Sequence, residues 1–527
     1  MSALSLFHEG FDEMILIHPP IVKPCEPPAG LAKLVGALKR HHVKYTFVDA
    51  NLECILSLLK GDHEREAPMH PSGRWTIRAR RHVESNLTLL TTWQGYENMD
   101  RYKRAVHDIN RVLETSILNG GVRLSLSNYL DEKHSPVRSA DLLRAAENHV
   151  QNPFFTYFRY RFLHLLEKEA PAMAGFSLNY LSQALCTFAM IGFLRQVHPR
   201  IRIVLGGGLV TSWIKNLQWS NPFTGLVDDV VAGPGEEALL ALLGVKGENR
   251  GKHYLPDDVV LSGEGYLSPG TILSYSAASG CYWNQCSFCP EKAEGNPYSP
   301  VSVKDMISDV STLVEKTKPV LVHLLDNAVS PVHLKAIADR PFGAPWYGFA
   351  RISSHLTDLD FCMALKRSGC VMVQLGLESG DQEVLDDMRK GFDLETASLV
   401  LHNLKMAGIA VFGYLLFGTP AETAEKAAKT LDFAVRHSEE IQCLNLAVFN
   451  LPTYSPDAQK LKTGDFYEGD LSLYRSFIHP KGWDRRLVKE FLDKTFRRHR
   501  AMVPIIRRTP PIFTSNHAPF FYVGGRS

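Results

Sequence analysis

The hydrophobic pattern of the first fifty residues predicts the start of a parallel α/β sheet. The run Met14–Ile17 is continuously apolar, as in a strand that is buried on both faces. Residues 31–40 carry apolar side chains at helical spacing, and residues 45–49 are again strand-like. A strand, a helix and a second strand in this order favour a doubly wound, Rossmann-like domain.

This pattern breaks after the second strand. Residues 61–165 contain charged segments with helical periodicity, which predict an inserted helical region. Such an insertion is either a packing appendage or a wall of the substrate site. The sheet is expected to resume near 174–178, 201–206 and 227–232, so that residues 1–60 and 166–248 form one domain.

Residues 266–458 predict a second domain, in which six strand-like segments alternate with helical ones. Six such units are expected to form a partial (β/α)6 TIM-like barrel, where polar residues at the strand ends line the site. Residues 459–527 are predicted to form a helical C-terminal extension with a basic amphipathic helix at 485–500. The aromatic segment 513–522 either folds over one end of the barrel or packs on the surface.

Composition and charge exclude several classes of protein. The 527 residues are 45% hydrophobic and carry 58 Lys+Arg against 56 Asp+Glu, so no nucleic-acid footprint is present. No apolar run reaches the ~18–20 residues that span a membrane, and the first residues lack the layout of a signal peptide. Three of the nine cysteines are clustered and the others are scattered, which favours a reducing cytoplasm over a disulfide framework.

The clustered cysteines, Cys281, Cys286 and Cys289, have the spacing C-x4-C-x2-C. Three soft thiolates this close together can hold one metal centre. Zinc normally takes a fourth Cys or His nearby, and none follows within the next thirty residues. A [4Fe–4S] cluster held by three cysteines keeps one iron open for another ligand. The spacing therefore favours a cluster, with zinc and redox-active or structural thiols as alternatives.

The segment 280–290, which contains Cys-Ser-Phe-Cys, resembles the cluster loop of the radical S-adenosylmethionine (SAM) family. Phe288 is the aromatic residue that this family places before its last cysteine. The usual spacing is C-x3-C-x2-C, so the first gap is one residue longer here. The resemblance implies that the open iron chelates SAM, and that SAM is cleaved reductively to a 5′-deoxyadenosyl radical.

Matches at later strand ends imply further contacts with SAM. Glu378, in Gly-Leu-Glu-Ser-Gly, would accept hydrogen bonds from the ribose. Gly418 and Pro420 resemble the family's turn near the adenine, with alanine in place of its second glycine. Asp326 would lie near the methionyl end, and Arg351 would meet the SAM carboxylate as a bidentate donor. Each residue also has a structural alternative as a helix cap, an ion-pair partner or a turn residue.

The first domain resembles the cobalamin-binding domain that precedes many radical SAM domains. The residues that this resemblance places at the corrinoid are Pro20, Ser177, Gly206, Gly207, Gly208, Gly233 and Gly235. Asn179 stands where that family usually has leucine, and the loop that supplies an axial histidine is absent, since residues 19–30 contain no His. Either the cobalt has no histidine ligand or the domain has lost cobalamin.

The two resemblances together imply a cobalamin-dependent radical SAM methyltransferase acting on an unactivated carbon. A cyclisation, rearrangement or oxidation, with or without cobalamin, is the main alternative, and a non-enzymatic iron–sulfur protein is a third. We expect a cytoplasmic enzyme with a small-molecule or peptide substrate and an electron donor such as flavodoxin or ferredoxin. No catalytic acid or base is predicted.

Overall fold

The computed structural model describes residues 14–61, 74–117, 121–169, 171–216, 219–245, 253–511 and 518–522. Parts of the N-terminal segment, the insertion, the interdomain linker and the aromatic tail considered above lie outside these described residues. The strands are β1 Met14–Ile17, β2 Tyr45–Val48, β3 Val122–Ser125, β4 Asn128–Asp131, β5 Met173–Ser177, β6 Arg202–Gly206, β7 Asp229–Val230, β8 Ile272–Tyr275, β9 Ala278–Ser279, β10 Ser299–Pro300, β11 Leu321–Leu324, β12 Trp346–Ala350, β13 Cys370–Glu378, β14 Ala410–Phe417, β15 Cys443–Val448, β16 Leu451–Pro452, β17 Thr463–Asp465 and β18 Tyr474–Phe477.

The helices alternate with these strands through much of the chain. They are α1 Ala29–Arg40, α2 Ala50–Lys60, α3 Arg74–Arg81, α4 Val83–Leu90, α5 Trp93–Tyr96, α6 Met99–Thr115, α7 Ser139–Glu147, α8 Phe155–Glu169, α9 Leu181–Val197, α10 Gly208–Ile214, α11 Glu236–Leu242, α12 Asp258–Leu261, α13 Pro290–Ala293, α14 Val303–Thr317, α15 Pro331–Asp339, α16 Leu359–Arg367, α17 Gln382–Asp387, α18 Leu394–Met406, α19 Ala424–Arg436, α20 Pro456–Lys460, α21 Arg485–Phe491 and α22 Met502–Arg508.

The chain divides into two compact units. The first is drawn from Met1–Val22, Pro28–His70 and Leu113–Val260, and the second from Lys23–Pro27, Pro71–Val112 and Leu261–Ser527. Each unit is therefore assembled from separate stretches of sequence.

The first unit is built on a five-stranded parallel sheet with the order β2-β1-β5-β6-β7. The central strand β1 is buried along its whole length, which explains its unbroken run of apolar residues. Helix α9, which follows β5, is buried over most of its length. The predicted parallel α/β sheet is confirmed.

The insertion differs from its prediction as a purely helical region. Strands β3 and β4 form an antiparallel hairpin in which Leu124 and the turn residue Leu126 are buried. The segment Val122-Arg-Leu-Ser-Leu-Ser127 alternates between apolar and polar residues, which is the signal of a half-buried strand. The insertion is also not one body, because Pro71–Val112 belongs to the second unit and the following residues to the first.

The second unit is built on a six-stranded parallel sheet with the order β15-β14-β13-β12-β11-β8. All five pairings are parallel, and helices α14, α15, α16, α18 and α19 connect successive strands. The six predicted strand–helix units are therefore confirmed.

Buried residues from all six strands form one apolar cluster, which the tail completes. Ala518 is fully buried in this cluster, and Phe521 and Tyr522 pack against it. The tail also packs on the insertion, since the Phe520 ring lies 5.1 Å from Tyr96 and 5.0 Å from Tyr102. Residues 518–522 therefore fold back against the six-stranded sheet of the second unit.

The remainder of the C-terminal extension is not wholly helical, because β16, β18 and β17 form a small antiparallel sheet. The paired stretches are only two to four residues long, too short for their period to be seen in the sequence. Among the described helices none is both long and apolar enough to cross a bilayer.

The segment Lys23–Pro27 joins the barrel although it directly follows the first strand region. The carbonyl of Pro24 accepts a hydrogen bond from Leu267 N (2.7 Å), and that of Pro27 accepts one from Ser274 Oγ (2.9 Å). The Glu26 carboxylate lies 2.9 Å from His323 Nδ1, and the His323 ring stacks on Tyr347 at 4.3 Å. The segment thus contributes a buried polar pair to the second unit.

Candidate active site

The three clustered cysteines lie on the loop that follows β8 and β9. Gly280 opens the loop with a φ of +72°, and a Cβ there would meet Pro297 O at 2.4 Å, so only glycine fits. Cys281, Cys286 and Cys289 are half-buried, whereas the other six cysteines are buried. The exposure of these three thiols separates them from the cysteines that only pack.

Hydrogen bonds attach the cysteine loop to the turn that follows α17. Ser287 N donates to Met388 O (3.0 Å), and Ser287 Oγ donates to Asp387 O (3.2 Å). The indole N–H of Trp283 donates to Arg389 O at 3.0 Å. The strand that carries Glu378 and the cysteine loop are therefore held together by this turn.

Phe288 is placed by apolar packing on the same region. It packs against a small cluster formed by Val384, Met388 and Ala421. The Lys390 ammonium lies 5.6 Å from the centre of its ring. A SAM contact for Phe288 stays a prediction.

Arg351, at the end of β12, lies under the cysteine loop. Its guanidinium carbon is 3.6 Å from the centre of the Trp283 ring. Its Nε and Nη2 atoms are buried and have no hydrogen-bond partner among the described residues. Buried guanidinium N–H groups are costly when unpaired, so this side chain is suited to receive an anion from outside the chain.

Both cations and carboxylates lie near the thiols. Burial raises the pKa of the Cys286 thiol, and the neighbouring Lys390 and Arg351 cations partly oppose that rise. Burial raises the pKa of Cys289 to about 11, against hydrogen bonds from the backbone of Lys292 and Glu291. Nearby cations favour thiolates, which are the form that binds metal.

The donor set fits an iron–sulfur cluster in number and in chemistry, with three soft, accessible thiols beside cations. Within the described ranges, no three His, Cys, Asp or Glu side chains converge closely enough to hold a metal ion. The assignment of the three cysteines as metal ligands therefore stays a prediction.

Glu378 ends β13 in a left-handed conformation, with a φ of +59° next to a register shift in the pairing with β14. Its carboxylate pairs with Lys390 at 3.1 Å, and both side chains are largely buried. A Cβ at Gly376 would lie 2.5 Å from Glu378 Oε1, so the strand needs glycine there. The bulge and the lysine together fix the direction of this carboxylate.

Asp326 lies beyond the end of β11 and is almost fully buried. Its Oδ2 accepts a hydrogen bond from Ala277 N at 3.0 Å, while Oδ1 is buried without a partner among the described residues. Burial raises the pKa of this carboxyl. Asp326 thus holds the backbone before the cysteine loop through Oδ2, and its Oδ1 has no hydrogen-bond partner among the described residues.

The turn after β14 holds Gly418 with a φ of +82°. Its N–H donates at 2.5 Å to Glu422 Oε2, which also accepts from the Trp483 indole at 2.9 Å. Two further side chains of the C-terminal extension bind this turn, because His479 Nε2 lies 2.8 Å from Thr419 O and Lys481 Nζ donates to Ala421 O at 2.7 Å. The extension therefore supports the turn that the sequence assigned to the adenine, and Pro420 is half-buried within it.

The glycines of the first unit follow the carboxyl ends of adjacent strands. Gly207 has a φ of +111°, and a Cβ there would lie 2.4 Å from Leu178 O. Asn179 donates to Ser177 Oγ at 3.0 Å and accepts from Gly208 N at 2.9 Å. The unusual asparagine therefore joins two of the predicted cobalamin residues, and Gly206 is the last residue of β6, directly before this turn.

The other residues predicted at the cobalamin are more dispersed. Gly233 is exposed, with a φ of +71°, and its N–H donates to Thr211 Oγ1 at 2.9 Å. Gly235 precedes α11, and Pro20 is buried. In the described loop after β1, Cys25 is buried and the Glu26 carboxylate is paired with His323.

Sequence reasoning did not assign roles to Trp283, Lys390, Gly391, Glu422 or Trp483. Trp283 lies in the gap between the first two cysteines, which is one residue longer than usual. This spacing is the sequence signal that could have identified it. Lys390 and Gly391 end the segment that carries the Glu378 motif, so that motif extends further than its carboxylate.

Comparisons with known proteins agree with this geometry. Residues 275–434 match the model of the radical SAM superfamily. The chain is 23% identical over 284 residues to an anaerobic magnesium-protoporphyrin IX monomethyl ester cyclase of Rubrivivax gelatinosus, covering 46% of this chain and 50% of that protein. It is 22% identical over 306 residues to an uncharacterized methyltransferase of Pyrococcus horikoshii, covering 51% and 65%. The chain thus spans half to two thirds of the length of these curated relatives.

Two solved structures share the fold over most of the chain. One is the radical SAM methyltransferase TsrM from Kitasatospora setae with cobalamin and a [4Fe–4S] cluster bound, at a TM-score of 0.53 and 14% identity, covering 97% of this chain and 85% of that one. The other is the cobalamin-dependent SAM radical enzyme OxsB with aqua-cobalamin bound, at a TM-score of 0.56 and 11% identity, covering 92% and 67%. A radical SAM domain implies a [4Fe–4S] cluster and SAM. Residues 275–434 therefore form a radical SAM domain, and the fold of the chain is similar to the folds of two cobalamin-dependent radical SAM enzymes.

Proposed function

We propose that this protein is a cobalamin-dependent radical SAM methyltransferase that acts on an unactivated carbon of a small molecule. The observation that carries the SAM site is Arg351, whose buried Nε and Nη2 lack partners among the described residues beside half-buried thiols. The cobalamin part is supported by the parallel sheet and its carboxyl-edge glycines. The methyltransferase part is supported by similarity to TsrM and to the Pyrococcus horikoshii relative, which are both described as methyltransferases.

The residues of the barrel have separate tasks in this proposal. Cys281, Cys286 and Cys289 hold the cluster, and Arg351 donates its two free N–H groups to the SAM carboxylate. Glu378 accepts from the ribose hydroxyls, while Lys390 orients the carboxylate through its ion pair. When bound, the cluster supplies the electron for SAM cleavage, and cobalamin supplies a carrier for the methyl group.

The remaining predicted contacts complete two binding sites. Asp326 and Phe288 line the methionyl side, and the Gly418–Pro420 turn lines the adenine. In the first unit, Ser177 and the glycines after β6 and β7 would hold cobalamin. A flavodoxin- or ferredoxin-type protein supplies the electrons.

A radical cyclisation or oxidation is the second candidate, because one relative is described as a cyclase. The two candidates differ in the fate of the SAM methyl group. A methyltransferase moves this group to the substrate, whereas a cyclase converts SAM to 5′-deoxyadenosine and methionine and leaves the methyl group on methionine.

The deciding experiment uses anaerobically reconstituted protein, reduced flavodoxin and SAM labelled in its methyl group. A small-molecule extract is supplied as a source of substrate, and mass spectrometry follows both 5′-deoxyadenosine and the label. Transfer of the label to a new product supports methylation, while 5′-deoxyadenosine without label transfer refutes it. Cys289→Ala is expected to abolish SAM cleavage, and Cys362→Ala, which alters a buried cysteine outside the loop, is the matched control.

A further inference from the structure

We infer that Trp283 is a positioning residue that holds the Arg351 guanidinium beside the cysteine loop, with its free N–H groups directed at the carboxylate of bound SAM. The inference rests on the proposed function and deepens it, since it assigns a purpose to the lengthened gap in the cysteine motif. Trp283 touches Arg351 and not the reacting atoms, so it acts through the arginine.

The stack between the two side chains is close and is fixed from two sides. The guanidinium carbon lies 3.6 Å from the indole ring centre, well inside the ~6 Å range of cation–π attraction. The indole N–H donates to Arg389 O at 3.0 Å, which sets the angle of the ring.

The turn after α17 leaves room for this ring and for nothing larger. Gly391 has a φ of +68°, and a Cβ there would lie 2.3 Å from the indole and 3.2 Å from Arg351 Nη2. Trp283, Arg351 and Gly391 therefore form one tightly packed group, contributed by the cysteine loop, the end of β12 and the turn after α17.

The hydrogen-bonding groups of Arg351 indicate that this group of side chains serves to bind a ligand. The hydroxyl of Tyr282, next to Trp283, also lies close to the guanidinium. Nε and Nη2 are buried and have no partner among the described residues. One face of the guanidinium is thus covered by an indole, and two parallel donors are kept for a ligand, which is the geometry of bidentate carboxylate recognition.

The gap between Cys281 and Cys286 is four residues long, and its first two members are the ones that contact Arg351. Asn284 then takes a left-handed conformation with a φ of +43°, which turns the loop back toward Cys286. The additional residue lets the loop cover the arginine before it reaches the second cysteine.

The first test compares Trp283→Phe with Trp283→Leu in the reconstituted holoenzyme. Phenylalanine retains an aromatic ring that can stack on the guanidinium, whereas leucine retains an apolar side chain without a ring. The dissociation constant of SAM is measured by equilibrium dialysis, and the electron paramagnetic resonance spectrum of the reduced cluster is recorded with and without SAM. We expect Trp283→Leu to weaken SAM binding about tenfold and Trp283→Phe by less than threefold. Trp75→Ala, at a tryptophan that is 68% exposed, is the control and should bind like wild type.

A second test displaces the ring without changing it. Gly391→Ala drives a methyl group into the indole, while Gly408→Ala adds the same group at a φ of +70° with only Lys366 Cε nearby, at 3.9 Å. We expect Gly391→Ala to weaken SAM binding as Trp283→Leu does, and Gly408→Ala to leave it unchanged. If Trp283→Leu fails to bind its cluster, the comparison of Gly391→Ala with Gly408→Ala still tests whether the position of the indole controls SAM binding.

The inference is overturned if Trp283→Leu and Gly391→Ala, both with full iron and sulfide content, bind SAM as tightly as wild type. Equal losses in Trp283→Phe and Trp283→Leu would also overturn it, because the aromatic face would then be irrelevant. Failure of the proposed function is distinguishable, since wild type itself would then transfer no methyl label.

Discussion

Glu422→Gln tests whether the turn beside Gly418 contains a carboxyl group that is protonated in the folded protein. Glu422 is fully buried, and burial raises its pKa from 4.5 to about 7 despite hydrogen bonds from Gly418 N and the Trp483 indole. Both donors reach Oε2, and Oε1 has no partner among the described residues. Glutamine reproduces the protonated form, with its carbonyl at the two donors.

The sign of the effect follows from the raised pKa. Between pH 4.5 and 7 the folded protein keeps a proton that the unfolded chain releases, so this carboxyl lowers stability as pH rises. At 1.36 kcal/mol per pKa unit the loss amounts to about 3 kcal/mol by pH 8. Glutamine does not titrate, so the variant should gain about 3 kcal/mol relative to wild type between pH 4.5 and 8.

The assay is urea unfolding at several pH values across this range, followed by tryptophan fluorescence. The buried histidines His18 and His479, whose pKa values are lowered by burial, titrate in the same window with the opposite sign. Both histidines are present in wild type and in the variant, so their contributions cancel when the unfolding free energies of the two proteins are subtracted. A difference between the two proteins that stays constant with pH would refute the reasoning, and Glu425→Gln, at an exposed glutamate on α19, is the control.

Three further predictions follow from other features. Glu378→Gln should lower the free energy of unfolding in urea by about 3 kcal/mol, because it leaves Lys390 buried without its partner. The double variant with Lys390→Met should recover most of this loss, and no recovery would mean that the ion pair is not the cause. Gly207→Ala should destabilise the protein by about 2 kcal/mol or more, since its Cβ would strike Leu178 O; Gly30→Ala, with nothing within 4 Å, should be neutral. When cobalamin is bound to uniformly 15N-labelled protein, the paramagnetic resonance spectrum of its Co(II) form should match that obtained with unlabelled protein, and an altered nitrogen splitting would contradict a site without a nitrogen ligand from the protein.

Much of the fold was predictable because the spacing of apolar residues within each segment indicates its secondary structure. The six barrel strands and the sheet around Met14–Ile17 are short apolar runs that buried parallel strands require. The three thiols were found because their ligand chemistry demands close spacing in sequence. Glu378 was found through a motif, and its environment is now defined by Lys390.

The rest depends on pairs of residues that are distant in the chain. Nothing periodic links Trp283 to Arg351, or Glu422 to Trp483, because a stack or a buried hydrogen bond leaves no pattern in either segment. The hairpin β3–β4 was missed for another reason, since four residues of alternation are weak against long helical neighbours. The division of the insertion between two units is likewise a matter of long-range packing.

The position of Lys23–Pro27 within the second unit has a consequence for biosynthesis. Glu26 and His323 are 297 residues apart, so at roughly 5–20 residues per second a ribosome needs about 15–60 s to deliver the partner of an acid made near the start. During that interval the nascent segment has no barrel to join, and the first unit can close around its own strands first. A shortened polypeptide beginning after residue 260 would never contain this piece, and would leave His323 and Ser274 without their partners in the folded barrel.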